Sequence, residues 1–160
     1  MRRTEREAST PDFMEQVLKD APALYLALNN GDAAPYVFAV NHILLDGSLY
    51  FHCATEGRKL DLMRVNPRVG FFAAADIHVE GTTTRYRSVS GTGTAEIIRN
   101  PGQKTAVLKA LAAWYEAPCH FPISAEKLAI TCIVRIRIES LSGKHSRRGE
   151  GPRPVPHYEN

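Results

Sequence analysis

Tight turns separate short alternating segments in the first third of the chain, and this pattern constrains the fold more than any other feature. Residues 23–54, ALYLALNNGDAAPYVFAVNHILLDGSLYFHCA, contain an Asn-Asn-Gly-Asp turn and an Asp46-Gly47 turn. A dipeptide of the Asp-Gly type between apolar runs is a strong signal for a β-hairpin. We therefore predict three antiparallel strands in this segment.

Three further strands are predicted later in the chain. Residues 68–79 and 82–99 are strand-like, and the second stretch contains Gly91 and Gly93, where we expect a bend or bulge. Residues 128–141, LAITCIVRIRIESL, alternate between apolar and charged side chains. That period of two is typical of a strand with one buried face.

Helical signals occupy three other segments. Residues 9–22 begin with Ser-Thr-Pro-Asp, residues 56–67 end with Asn-Pro, and residues 100–117 begin with Asn-Pro and carry an apolar stripe. Six strands with tight turns and two or three helices predict a mainly β (α+β) fold, a small, partly open antiparallel barrel with helices at its ends. Exposed strand edges in such a barrel favour a dimer.

Composition excludes several classes of function. The 160 residues suit one domain, and a net charge of +3 with a pI of about 8.8 is too mild to indicate nucleic-acid binding. No apolar run approaches the roughly 20 residues of a membrane helix, and the charged first residues predict no secretory signal. Three cysteines without a Cys-x-x-Cys pair favour free thiols in a reducing cytoplasm, and no ligand spacing predicts a metal site.

The segment YFHCATEGRKLDLMRVNPRV, residues 50–69, concentrates chemistry at a predicted strand-to-helix corner. Arg58 and Lys59 lie where the free N–H groups and the dipole of a helix start would favour a phosphate. The same pair is also consistent with an ordinary solvated turn. On the preceding strand, alternation places His52 on one face and Cys53 on the other.

A larger pattern gives these residues a family context. The segment YFHCATEGRKLDLMRVNPRVGF, the later YRSVSGTGTAEII and the late LSGK occur in that order. Together they resemble the flavin-binding split-barrel proteins related to pyridoxamine 5'-phosphate oxidase, and most of all the Nim-type group associated with 5-nitroimidazole reduction. The resemblance spans residues 20–145. It implies a six-stranded split β-barrel and a single FMN-binding domain over residues 1–145. Residues 146–160 are rich in Gly, Pro and Arg without a period, which predicts an irregular tail.

The resemblance also implies an FMN site shared by two subunits of a cytoplasmic homodimer. Arg58 and Lys59 match the pair that holds the FMN phosphate, with Thr55 assisting. Residues 40–43 match the strand whose backbone lies along the isoalloxazine edge. The full set of implied cofactor-binding residues is Val40, Asn41, His42, Ile43, Phe51, His52, Thr55, Arg58, Lys59, Arg87 and Ser88.

Roles for the remaining residues follow from the same resemblance. Phe51 and His52 match strand residues beside the phosphate and ribityl chain or over the ring, and Arg87 and Ser88 match polar contacts to the flavin. His52 also matches a histidine near flavin and substrate, which makes it the candidate catalytic proton donor. The terminal segment GPRPVPHYEN has no match for the arginine and histidine that grip the pyridoxal ring, so vitamin B6 oxidation is not expected.

The function implied is an FMN-dependent oxidoreductase that passes electrons from reduced flavin to a small acceptor, such as a nitro-aromatic compound. The alternative is a non-catalytic flavin- or haem-binding protein on the same fold, with His52, His42 or His145 as the axial ligand. A deazaflavin cofactor is a third reading. No nucleic-acid or membrane partner is expected.

Overall fold

The computed structural model describes residues 8, 10–117 and 121–146. Of the predicted tail at 146–160, only Ser146 falls within this part, where its backbone N–H donates to the Tyr86 carbonyl oxygen at 3.1 Å. The rest of that prediction lies outside the described residues.

Seven strands and four helices make up the described chain. In chain order they are α1 (Pro11–Asp20), β1 (Leu24–Leu28), β2 (Tyr36–Val40), β3 (Ile43–Leu45), β4 (Ser48–Ala54), α2 (Arg58–Val65), β5 (Arg68–Glu80), β6 (Thr83–Ile98), α3 (Pro101–Trp114), α4 (Ala125–Ile130) and β7 (Thr131–His145).

All seven strands form one antiparallel sheet in the order β2-β1-β5-β6-β7-β4-β3. The two outermost strands, β2 and β3, are consecutive in sequence, so the chain crosses from one end of the sheet to the other within two residues. Across this gap Phe38 of β2 lies edge-on to Phe51 of β4, with ring centroids 6.5 Å apart. The sheet is therefore curled into a barrel that stays open between β2 and β3, which confirms the predicted split-barrel class.

Two apolar clusters hold the barrel and its helices together. The larger one fills the barrel interior with buried residues from every strand except β2 and β3, which add only partly buried side chains, and α1 and α2 add Val17, Leu18, Leu60 and Met63. The smaller one lies between the sheet and α3 and contains Ile43, Ile98, Val107, Leu111 and Ile133. The two faces of β4 therefore meet different surroundings.

The prediction of six strands and two or three helices is short by one strand and one helix. The second expected strand, between the Asn-Asn-Gly-Asp turn and the Asp46-Gly47 turn, is interrupted at Asn41 and His42, because both backbone groups of His42 bond to the Tyr115 hydroxyl instead of a neighbouring strand. The expected strand start at residues 128–130 is helical, because Ser124 caps α4 by accepting from the Lys127 N–H at 3.3 Å.

The predicted irregularity in the long strand is confirmed. The pairing of β6 with β7 shifts register between Thr92 and Gly93, so Glu139 has no partner residue opposite it. A Cβ at Gly91 would lie 2.4 Å from Phe71 Cζ, and one at Gly93 would lie 2.4 Å from the Arg137 carbonyl oxygen. Glycine is needed at these positions because another strand or ring approaches the backbone closely.

Candidate functional site

The end of β4 is open on one edge. Strand β3 pairs with residues 48–50 only, whereas β7 pairs with all of residues 48–54. In the described part of the chain, the backbone of residues 51–54 thus has a strand partner on one side and faces the split on the other. This open edge leads directly into the turn before α2.

Alternation along β4 separates the predicted site residues, as expected from the sequence. Phe51 is fully buried in the barrel core, whereas His52 is exposed on the outer face. Thr55 follows in the exposed bend between β4 and α2. His52 and Phe51 therefore cannot serve the same side of a ligand.

Helix α2 begins without a side-chain cap. Its N-cap residue, Gly57, has φ of +125°, a conformation that favours glycine, and no side chain accepts a hydrogen bond from the first turn. The apolar face of the helix is anchored in the core by Leu60 and Met63. A fixed helix start with free N–H groups is suited to bind an anion.

Arg58 and Lys59 are held at this helix start by aromatic side chains of β2. The Arg58 guanidinium carbon lies 5.5 Å from the Tyr36 ring centroid, and its Nη2 donates to Asn30 Oδ1 at 3.1 Å. Lys59 Nζ lies 4.8 Å from the Phe38 ring centroid. Cation–π contacts orient both charges without neutralising them.

Neither cation forms an ion pair with a carboxylate within the described residues. Arg64, at the other end of the same helix, is by contrast paired with Asp61 at 2.7 Å. The two charges at the start of α2 are therefore available for a ligand.

His52 opens into a cavity of about 460 Å³ on the outer face of the sheet. Most of its walls are apolar side chains of α3, α4 and the segment between them, and Asn41, Lys127 and Thr131 add polar groups. This volume is in the range of small-molecule sites. The sequence placed Asn41 and His52 in one site, and the structure puts them on one cavity.

The other residues predicted along the flavin ring are largely built into the fold. Val40 is half-buried, Ile43 is buried against α3, and His42 is 2% exposed. The His42 Nε2 is 2.7 Å from the Leu18 carbonyl oxygen, and burial lowers the pKa of this imidazole. The side chains of Val40, His42 and Ile43 therefore pack into the fold, and among residues 40–43 only Asn41 projects to the surface.

Arg87 and Ser88 lie at the other end of β6 from the residue that is level with His52. His52 pairs with Ile133 of β7, and Ile133 pairs with Ile98 of β6. Ile98 is eleven residues, or about 35 Å of strand, from Arg87. Ser88 is buried. Within one chain the structure does not bring these two residues to the cations of α2.

The Arg87 guanidinium is itself neutralised. It binds Asp76, and its Nη2 donates to Asp20 Oδ2 at 2.8 Å. These contacts, led by the hydrogen bond with Asp76, raise the pKa of Arg87. The charge of Arg87 thus ties β5, β6 and α1 together.

Sequence reasoning missed the residues that shape the site from a distance. Asn30, Tyr36 and Phe38 orient the two cations, and Tyr115 with the rest of the α3 and α4 wall encloses the cavity. No signal in the sequence placed Tyr36 and Phe38 beside the basic corner, because they belong to a strand separated from α2 by β3 and β4. Nothing local indicated that α3 would cover the outer face of β4.

Comparison with known proteins places this geometry in a family. The sequence model of the pyridoxamine 5'-phosphate oxidase family matches residues 11–145, and the chain belongs to that family. No curated protein matches the sequence. The family assignment confirms the resemblance seen in the sequence.

Solved structures share the fold. A 5-nitroimidazole antibiotic resistance protein from Bacteroides thetaiotaomicron matches with a TM-score of 0.78 at 19% identity, covering 87% of this chain and 86% of that chain. An FAD- and heme-binding protein from Mycobacterium smegmatis matches with a TM-score of 0.77 at 20% identity, over 94% and 77% of the two chains. An FAD-binding protein from Mesorhizobium loti has 26% identity and a TM-score of 0.64, over 89% and 98%.

Among the described residues, none of the helices combines the length and the apolar character needed to cross a lipid bilayer.

Proposed function

We propose that this protein binds FMN and acts as an oxidoreductase that passes electrons from the reduced flavin to a small acceptor, with nitro-aromatic compounds as candidates. The observation that carries the proposal is the start of α2, where two unpaired cations flank an uncapped helix end beside the open edge of β4. The family and the flavin-binding proteins of similar fold support it.

The residues present fit a flavin phosphate. The phosphate carries about −1.5 to −2 charge and several acceptor oxygens, and it would receive N–H groups of α2 together with the Arg58 and Lys59 side chains. Thr55 lies in the turn just before the helix and can add a hydroxyl. Because Arg58 and Lys59 are already oriented by Tyr36 and Phe38, little side-chain entropy is lost on binding.

The flavin, when bound, supplies the electron transfer, and the chain supplies binding, orientation and proton supply. The open edge of β4 offers backbone donors and acceptors for the polar rim of the ring. His52 can hold a proton at the mouth of the apolar cavity, where an acceptor molecule would be shielded from water by α3 and α4. Asn41 can orient that acceptor by hydrogen bonding.

The proposal includes a homodimer with FMN at the subunit interface. Tyr25 and Phe72 are directly paired on β1 and β5, 48% and 43% exposed, and Val37 on β2 is 61% exposed on the same face. Such a cluster of exposed apolar side chains is typical of a subunit interface. A partner would also supply the Arg85–Ser88 segment that one chain holds away from its own α2.

Titration with FMN and with riboflavin tests the proposed phosphate site. We expect FMN to bind at least about 100-fold more tightly, since each charge-assisted hydrogen bond contributes about 1.5–3 kcal/mol. Equal affinities would rule out Arg58 and Lys59 as ligands of the phosphate.

The Phe72→Asp variant tests the dimer. It should sediment as a monomer and bind FMN much more weakly, and a monomer that retains FMN tightly would exclude a shared site.

Haem binding is a second candidate because of one observation. Among His42, His52 and His145, only the His52 imidazole opens into the apolar cavity. His42 is buried against Leu18, and the His145 ring packs against Phe13, with ring centroids 6.3 Å apart. Absorbance of the purified protein separates the two functions, because haem gives a sharp Soret band and a flavin gives two broad bands in the blue and near ultraviolet.

A further inference from the structure

Two cysteines face each other across the β4–β7 pair. Cys53 and Cys132 are directly opposite in the antiparallel register, so both side chains leave the same face of the sheet. Opposite residues in such a pair have Cα atoms about 4.5–5.5 Å apart, within the range of about 4.4–6.8 Å found in disulfides. The backbone is thus already placed for a cross-strand bond.

The side chains meet as well as the backbones. Both residues are free thiols, and Cys132 is near enough to influence the pKa of Cys53. Cys132 is buried at 6% exposure, whereas Cys53 is partly exposed near the split. One thiol is therefore accessible to a small reagent, and the second lies behind it.

We infer that Cys53 and Cys132 form a reversible thiol–disulfide site that is oxidised by a small disulfide of the glutathione type. The Cys53 thiolate attacks one oxidant sulfur, forms a mixed disulfide and releases one thiol. The Cys132 thiolate then attacks the Cys53 sulfur and releases the second thiol. The two protein sulfurs lose two electrons, the two oxidant sulfurs gain them, and the two protons end on the released thiols.

The surroundings of Cys53 give the reaction a characteristic pH dependence. Burial, and then the neighbouring Cys132, raise the pKa of Cys53 to about 11, while the charge of Lys59 opposes this shift. Because the thiolate is the nucleophile, the oxidation rate should rise about tenfold per pH unit between pH 7 and pH 9. An exposed, unperturbed thiol would level off near pH 8.5.

The bond would also stabilise the fold at the point where β4 leads to α2. It closes a loop between residues 53 and 132, which restricts the unfolded chain. We expect the melting temperature of the oxidised protein to exceed that of the reduced protein by about 5–10 °C. The Cys53→Ala variant should melt at one temperature in both redox buffers.

Peptide mapping of the full chain tests the site directly. Trypsin places the three cysteines on separate peptides, residues 20–58, 110–127 and 128–135. After equilibration in oxidising glutathione and trapping of free thiols, we expect peptide 20–58 linked to peptide 128–135. Dithiothreitol should release the two peptides.

The Cys119→Ala variant is the matched control, since it leaves only the two facing cysteines, and it should give the same linked peptides within a monomer-sized chain on a denaturing gel. Alkylated, unlinked Cys53 and Cys132 under oxidising conditions would overturn the inference. So would a link that joins two chains or that uses Cys119.

Discussion

The hydroxyl group of Tyr115, just after α3, bonds to both backbone groups of His42. It accepts from the His42 N–H at 2.9 Å and donates to the His42 carbonyl oxygen at 2.9 Å. Burial raises the pKa of Tyr115, so the hydroxyl keeps the proton it donates. A side chain 73 residues away thus replaces the strand pairing that the crossing between β2 and β3 lacks.

Replacing Tyr115 by Phe should destabilise the fold, because two partly buried backbone groups lose their partner while the ring remains. We expect the free energy of unfolding to fall by about 1–3 kcal/mol in urea denaturation. Tyr36→Phe is the control, since the ring that contacts Arg58 remains and the Tyr36 hydroxyl makes no hydrogen bond within the described residues, and it should change stability by less than about 0.5 kcal/mol. Equal effects of the two variants would contradict the bridging role.

Stability should depend on pH through His42. Its Nε2 bonds to the Leu18 carbonyl oxygen, its Nδ1 is buried without a partner, and burial lowers the pKa of the folded imidazole below the ordinary value of about 6.5. Between these two pKa values the unfolded chain binds more protons than the folded one. The contribution of neutral His42 to the free energy of unfolding is therefore fully present above about pH 6.5 and is lost as the pH drops below that value.

The His42→Gln variant isolates this contribution, because an amide can donate to Leu18 but does not titrate. Melting temperatures between pH 7.5 and pH 5 should fall less in the variant than in the wild-type protein. If His42→Gln shows the full wild-type slope, other groups cause the acid sensitivity.

The close approach at Gly91 predicts a steric effect. An added Cβ would lie 2.4 Å from both Phe71 Cζ and the Ser140 carbonyl oxygen, and the latter belongs to the backbone of β7. Gly91→Ala should lower the free energy of unfolding by about 2 kcal/mol or more. Gly70→Ala on β5 is the control, since its Cβ would meet only Ala27 Cβ at 3.9 Å, and we expect near-neutral stability there.

Local signals predicted those parts of the fold that local interactions decide. The Asp46-Gly47 turn has φ of +48° and +69°, the pair of values that a two-residue hairpin turn requires and that Asp-Gly favours. The break at Asn41 and His42 depends on Tyr115, which is distant in sequence. No property of residues 36–45 could therefore reveal it.

The same limit applied to the candidate site. The sequence located Arg58 and Lys59 at a helix start because charge and corner are adjacent along the chain. It could not show that Tyr36 and Phe38 would orient these cations, since those contacts depend on how the barrel curls. Nor could it show that Arg87 would be paired with Asp20 and Asp76, which removes its charge from the surface of one chain.

Variants at the start of α2 separate the contributions to flavin binding. Arg58→Ala and Lys59→Ala should each weaken FMN binding by about 10- to 100-fold, because each removes a charge-assisted contact with the phosphate. Riboflavin binding should change little. Arg64→Ala removes a cation from the last turn of the same helix and should leave FMN affinity unchanged, measured by quenching of flavin fluorescence. Equal losses in all three variants would indicate a general effect of charge.

The role of His52 can be resolved by substitution because its possible functions make different demands. A proton donor requires a titrating group, whereas a contact to the ribityl chain requires only hydrogen bonding, which glutamine retains. A side chain that only lines the cavity requires neither. His52 is exposed at the cavity mouth, so replacing it should not disturb the core.

We expect His52 to be the proton donor, so that His52→Gln keeps FMN affinity near the wild-type value and lowers turnover of a nitro-aromatic acceptor by about 100-fold or more. Loss of FMN affinity in His52→Ala that glutamine restores, with normal turnover, would instead identify a ribityl contact. Asn41→Ala is a useful comparison, because it opens the same cavity without removing a titrating group and should raise KM more than it lowers kcat. If both His52 variants retain wild-type affinity and rate, proton transfer does not pass through this side chain, and the cavity beside it serves another purpose.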